Sequence, residues 1–186
     1  MSYKNLFLLF SLVAGILISC KKEDFKDHEW QSDLIGKSGF AENSMVLLWN
    51  ENVSKIIAKY SSPPPVHSRH FTMVQIAVHD ALNSIWPKYE TYALKNCSEK
   101  KASPYAAVAS ASYWTMKLIN DYLLTIPAGA LPLQTSGNDW EAWYASSMAS
   151  IPDGEAKELG KALGKKAAEA ILAKRSTDNY PTASIT

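Results

Sequence analysis

The chain has 186 residues, 19 Lys+Arg against 18 Asp+Glu, four His and two Cys, and 47% of it is apolar, with six Trp and nine Tyr. That length suffices for one packed domain, and the apolar and aromatic content excludes a disordered chain. A formal net charge of +1 supplies no basic field for a phosphate backbone, so nucleic acid is excluded as a partner.

Lys4 provides a short positive start, residues 6–18 form a largely apolar run, and Leu17-Ile18-Ser19-Cys20 closes it at a cysteine. The run is shorter than the ~20 residues of a permanent membrane helix and suits a secretory signal. Leu17-Ile18-Ser19-Cys20 resembles a bacterial lipobox, which implies a signal peptide over 1–19, lipid on Cys20 as the mature N-terminus, and an exported, membrane-anchored lipoprotein. Each buried acyl methylene adds about 0.8 kcal/mol to such an anchor. Removal of Lys4 takes the 19 basic side chains to 18, equal to the acidic ones, so attachment would rest on lipid and not on a basic patch. Cys97 is then left without a cysteine partner, and no internal disulfide is expected. Residues 20–40, with mixed charges and no sustained period, read as the lipidated cysteine and a tether.

A helical domain is expected over 41–186. Met45, Trp49, Val53, Ile56 and Tyr60 recur on one helical face, widened by Val46 and Ile57, and the run ends at Pro63-Pro64-Pro65. After the prolines, Phe71, Val74, Val78, Ala81, Leu82 and Ile85 form a second stripe, stopped by Pro87. Ser103-Pro104 has the form of an N-cap followed by proline at the first helical position, and 105–124 carries no breaker. Pro127, Gly129 and Pro132 mark a loop, and Trp140, Trp143, Tyr144 and Met148 then fall at helical offsets. The last helix is expected over 155–174. In it Ala156, Gly160, Gly164 and Ala168 fall four apart, a groove of small side chains that admits another helix closely. Each interior glycine costs about 1 kcal/mol against alanine, so close packing is the compensation to look for at Gly160 and Gly164. No strand pattern occurs, and the class is all-α, a bundle of about five helices.

His67 and His70 lie near the start of the second helix and read as surface histidines, because nothing at ligand spacing completes a metal site. His79 and Asp80 are adjacent and project about 100° apart on a helix, which argues against an acid–histidine couple within the pair. Asp80 sits at the margin of the apolar face and reads as a structural, buried or half-buried carboxylate. Arg69 is about three turns away, so the partner of Asp80 is expected from another helix. Ser68-Arg69-His70 has the residue types of an oxyanion site, but no glycine-rich loop accompanies it, and no nucleophile-with-base motif occurs.

Residues 69–85, Arg-His-Phe-Thr-Met-Val-Gln-Ile-Ala-Val-His-Asp-Ala-Leu-Asn-Ser-Ile, followed by Tyr89-Glu90-Thr91-Tyr92, resemble the N-terminal helical region of bacterial vanadium-dependent haloperoxidase-like proteins, of the type 2 phosphatidic acid phosphatase superfamily. Trp49-Asn50, the alanine-rich 106–111 and Ile151-Pro152-Asp153-Gly154 through Arg175 and Asp178 fit the same pattern. The resemblance implies the N-terminal half of a larger α-helical fold. The family holds vanadate or phosphate through a Lys and Arg-Pro motif, a Ser-Gly-His motif and a final Ser-Arg followed by His. Here Lys37-Ser38-Gly39-Phe40 lacks the histidine, and Ser68-Arg69 precedes His79 by too long an interval. The resemblance therefore assigns no catalytic, cofactor-binding or metal residue to this chain; vanadate is implied for the full-length family. The residues singled out are Cys20 for lipidation and Arg69, Asp80, Gly160 and Gly164 for structure, with Trp86, Tyr89 and Tyr92 assigned to core or interhelix packing.

Two functions follow as expectations. In one, the chain is the scaffold part of an exported, lipid-anchored haloperoxidase or acid phosphatase-like protein, whose partners are the membrane and a missing catalytic half. In the other, it is a complete non-catalytic helical lipoprotein that acts as an interaction module with a helical partner. Leu163 and Ile171 are expected partly bare in the first and covered in the second.

Overall fold

A computed structural model describes residues 43–59, 64–124 and 139–178. The signal, Cys20, the tether, Tyr60, the loop prolines and the residues after 178 lie outside the described residues. Five helices make up the described part: α1 (Ser44–Lys59), α2 (Pro64–Ile85), α3 (Pro104–Leu124), α4 (Asp139–Ala149) and α5 (Glu155–Arg175). No strand occurs among the described residues, and the all-α class is shown.

α3 is the central element and packs against each of the other four helices. Its start follows from Ser103: the Ala106 N–H donates to Ser103 Oγ at 3.3 Å and the Ala107 N–H to the Ser103 carbonyl at 3.0 Å, with Pro104 in the first turn where no N–H is needed. Residues 105–113 are buried on every side. Alanine and serine make this possible, because small side chains let neighbours approach from all directions.

Gly160 and Gly164 of α5 are the closest approach to α3. A Cβ at Gly160 would stand 2.5 Å from the Ser103 carbonyl oxygen and 2.8 Å from Ala106 Cβ; at Gly164 it would stand 2.6 Å from both the Ala111 N and Ser110 Cβ. The Ser103 N–H donates to the Ala156 carbonyl at 2.7 Å and Ser110 Oγ to the Lys161 carbonyl at 2.7 Å, which fixes the register of the seam at two heights. Leu163 and Ile171 are buried, so the partly bare face expected of a scaffold part is not found at these two positions, whereas Ala156, at the outer end of the small-residue row, is exposed. α5 begins at Gly154, whose φ of +148° and ψ of 178° lie in a region open essentially to glycine. Among the basic residues of α5, Lys157 is buried, and its ammonium donates to the Ile151 carbonyl at 3.1 Å and pairs with Asp153 at 2.7 Å.

α1 buries Met45, Trp49, Val53, Ile56 and Ile57 as the periodicity predicts, and adds Asn52. Trp49 Nε1 donates to Ser147 Oγ of α4 at 3.2 Å. On α4 Trp140 and Met148 are buried, and Tyr144 stacks on Tyr113 of α3 with centroids 4.3 Å apart. α2 departs from expectation at its start, since it includes Pro64 and Pro65. Both occupy the first turn, where a missing N–H costs nothing and the fixed φ is already helical. Its buried face also turns further than the Phe71–Leu82 stripe: His70, Met73, Ala77, Asp80 and Ser84 are buried, while Phe71 and Leu82 are only half-buried. The cause is two-sided packing, with α3 against one flank and α5 against the other.

Candidate functional site

The C-terminal half of α2 holds the 86–103 connection through side chains that cap backbone groups. Asp80 is fully buried; its Oδ1 accepts from the Tyr92 N–H at 2.8 Å, and its Oδ2 accepts from the Ala93 and Leu94 N–H groups at 2.6 and 2.8 Å. His79 Nδ1 lies 3.1 Å from Asp80 Oδ1. Burial opposes ionisation here, but donation from the backbones of Leu94, Tyr92 and Ala93, with help from His79, outweighs it and holds the carboxyl below its ordinary range. Asn83 Oδ1 accepts from the Tyr89 N–H at 2.8 Å, and the Ser84 carbonyl accepts from the Glu99 N–H at 2.8 Å.

Two expectations are corrected at this point. The neighbours His79 and Asp80 do form a couple, because rotation about the side-chain bonds spans the angle that separates their Cβ directions. The principal partners of Asp80 are not on another helix but are backbone N–H groups of the following loop. With both oxygens committed to three backbone donors, Asp80 is an anchor rather than a proton acceptor for a substrate. The imidazole of His79 is half-exposed and stacks on Tyr89 at 6.4 Å.

A second cluster forms where the N-terminal half of α2 meets the end of α5. Arg69 Nη1 donates to Asp178 Oδ2 at 2.7 Å, Arg175 Nε lies 3.0 Å from the same oxygen, and Arg69 Nη2 donates to the Arg175 carbonyl at 3.4 Å. Arg175 Nη1 reaches Tyr92 Oη at 3.3 Å, and Lys174 Nζ stands 4.8 Å over the Tyr92 ring. The bond from Arg69, with the Arg175 charge, holds the Asp178 carboxyl below its ordinary range against some desolvation. Next to Arg69, His70 is 1% exposed, and burial, the Arg69 charge and then His67 push its pKa down to about 4. His70 is therefore neutral at pH 7, and it is not the surface histidine that its position near the prolines suggests.

These residues border a cavity of about 270 Å³ between α2, α3 and α5. Met73, Ile119, Tyr122, Leu172 and Ala173 line it together with Arg69, His70, Arg175 and Ser176. Arg175 and Asp178 are the contributors that site-by-site reasoning on the sequence misses. They stand more than a hundred residues from Arg69, and no spacing rule links positions so far apart.

Trp86 packs against the core, as expected, but Tyr89 and Tyr92 are 63% and 41% exposed. Their backbones are held by Asn83 and Asp80; the Tyr89 ring stays outside, against the packing role expected of it, whereas the Tyr92 ring, though exposed, meets Arg175 and Lys174 of α5, an interhelix contact rather than a core one. Cys97 is a half-buried free thiol, with Lys166 Nζ 3.9 Å from its sulfur. Among the described residues, no group of three or more His, Cys, Asp or Glu is placed to hold a metal, and no helix is long and apolar enough to cross a membrane. A vanadate site needs several cationic donors converging on one multiply charged oxyanion. The nearest arrangement among the described residues is Arg69 and Arg175, already on one carboxylate and beside a neutral histidine. That set does not fit vanadate. Comparison of the chain with known protein families, with characterised proteins and with solved structures finds no match.

Proposed function

We propose that this domain is the helical scaffold part of an exported, lipid-anchored protein of the vanadium-dependent haloperoxidase and type 2 phosphatidic acid phosphatase kind, and that the vanadate or phosphate chemistry belongs to another part of the protein. The observation that supports the reading is the behaviour of the segment that carries the resemblance. Within residues 69–92 Asp80 ties the helix to the loop that follows, and Trp49 and the alanine-rich start of α3 share one core with its buried face. Asn50 Oδ1 accepts from Gln75 Nε2 at 2.7 Å, which joins two quoted pieces of the pattern directly. The scaffold role assigns α2, α3 and α5 to support and leaves no residue of this chain in contact with reacting atoms.

The test is the mass of the native protein, extracted from membranes of the source cells and detected with an antibody to residues 41–180. The reading expects a species well above the 20.6 kDa of this chain, carrying lipid that is lost in Cys20→Ser, with vanadate-dependent halide oxidation or phosphatase activity. A species at the mass of residues 20–186 plus lipid, inactive in both assays, overturns it in favour of a non-catalytic interaction module, the reading that the burial of Leu163 and Ile171 favours.

A further inference from the structure

The cavity between α2, α3 and α5 has an aliphatic interior with Arg69 and Arg175 at its border, a combination that the scaffold role does not use. Met73, Ile119 and Leu172 offer hydrocarbon to an occupant, and Arg69 and Arg175 converge on a single carboxylate oxygen of Asp178 at 2.7 and 3.0 Å. We propose that this cavity binds a small amphipathic monocarboxylate, such as a medium-chain fatty acid anion, with its tail among Met73, Ile119 and Leu172 and its carboxylate on Arg69 and Arg175 in place of Asp178.

Three features set the ligand class. Volume limits the occupant: about 270 Å³ lies just below the ~300–1,000 Å³ of sites for drug-sized ligands, which suits a molecule of about ten heavy atoms. Charge sets the head group. Two guanidiniums that hold one carboxylate oxygen accommodate one monoanion by exchange with it, whereas a dianion would press its second charge against the aliphatic wall. The third feature is His70, buried in the wall and neutral at pH 7, which adds polarity without a competing charge. Asp178 is an internal competitor that follows the last turn of α5, and ligand binding is then an exchange of one carboxylate for another. The inference uses only the cavity and its rim, and it stands or falls apart from the scaffold reading.

Octanoate titrated into the full chain tests it, followed by calorimetry and by methyl NMR of Met73 and Ile119. Saturable one-to-one binding is expected, with shifts at both methyls. Octan-1-ol, which has the same tail without the charge, should bind at least about tenfold more weakly. Asp178→Asn, which removes the internal competitor, should tighten octanoate binding by about threefold or more. Ala173→Trp, at an exposed lining position, should block the shifts while the melting profile is kept. Absence of saturable shifts at Met73 and Ile119 up to about 10 mM octanoate, equal binding of octan-1-ol, or weaker binding in Asp178→Asn each overturns the proposal. The last two arms use no bulky substitution and decide the matter even if Ala173→Trp does not fold.

Discussion

Gly164→Ala is the sharpest test of the packing, because general helix propensity and this particular seam predict opposite signs. In an exposed helix interior the change stabilises by about 1 kcal/mol. Here the new methyl would sit 2.6 Å from the Ala111 N and Ser110 Cβ, and closer still to the Ala107 carbonyl oxygen, where ordinary contact begins at 3.4 Å. The obstacles are backbone atoms and a Cβ, none of which rotates away, so α5 must lift from α3 by about 0.8 Å locally. A gap of that size forfeits roughly a quarter to a half of the dispersion energy of the atoms that face it. Overpacking of this kind costs about 1–3 kcal/mol. Set against the propensity gain, the net is a loss of up to about 2 kcal/mol, or a fall of up to about 4–8 °C in the melting temperature. Thermal unfolding followed by far-UV circular dichroism reads this directly. A variant stabilised by about the 1 kcal/mol of an exposed site would refute the close seam and with it the arrangement of α3 and α5.

Three further outcomes are expected. Asp80→Asn leaves one carbonyl oxygen to serve three backbone N–H groups, so stability should fall by about 3 kcal/mol and the amides of Tyr92, Ala93 and Leu94 should lose hydrogen-exchange protection; unchanged protection there would contradict the clasp. His70 favours its neutral form in the folded protein, with a pKa of about 4 against about 6.5 when unfolded. Its contribution is therefore complete above pH 6.5 and is lost as pH falls toward 4, an effect of about 3 kcal/mol that should vanish from the pH profile of His70→Phe. Trp49→Phe removes the donor to Ser147 Oγ and part of a buried ring, and denaturant titration should show a loss of about 1–3 kcal/mol; a neutral result would mean that α1 and α4 are not joined there.

Features set by local spacing were legible in advance. Ser103-Pro104 marks the start of α3 because a cap and a proline act on the turn they occupy, and the four-residue spacing of Gly160 and Gly164 marks a close approach because a helix repeats nearly at that interval. Burial of Asp80 was also legible from its place on the apolar margin. Its partners were not, because backbone N–H groups at 92–94 carry no side-chain signature and any residues there would donate equally well. The prolines misled for a related reason: three in a row read as a stop, yet the second and third sit in a first turn that has no use for their N–H groups. His70 and the Arg69–Asp178–Arg175 cluster depend on α2 being enclosed from two sides, which the periodicity of one helix cannot reveal. The same holds for Tyr89, whose backbone is anchored while its ring lies exposed.

The clasp at Asp80 also bears on the order in which the chain organises itself. It closes a loop of only 12–14 residues, and segments of about that length meet on a timescale of tens to hundreds of nanoseconds. The hydrogen bond from Ser110 to Lys161 spans 51 residues, and its closure entropy is correspondingly larger. α2 and its loop therefore have the means to form a preassembled hairpin-like unit before the glycine seam engages. The rate-limiting search is then left to the docking of α5 onto α3, where mutations would slow folding while changes at the clasp would chiefly speed unfolding of the loop.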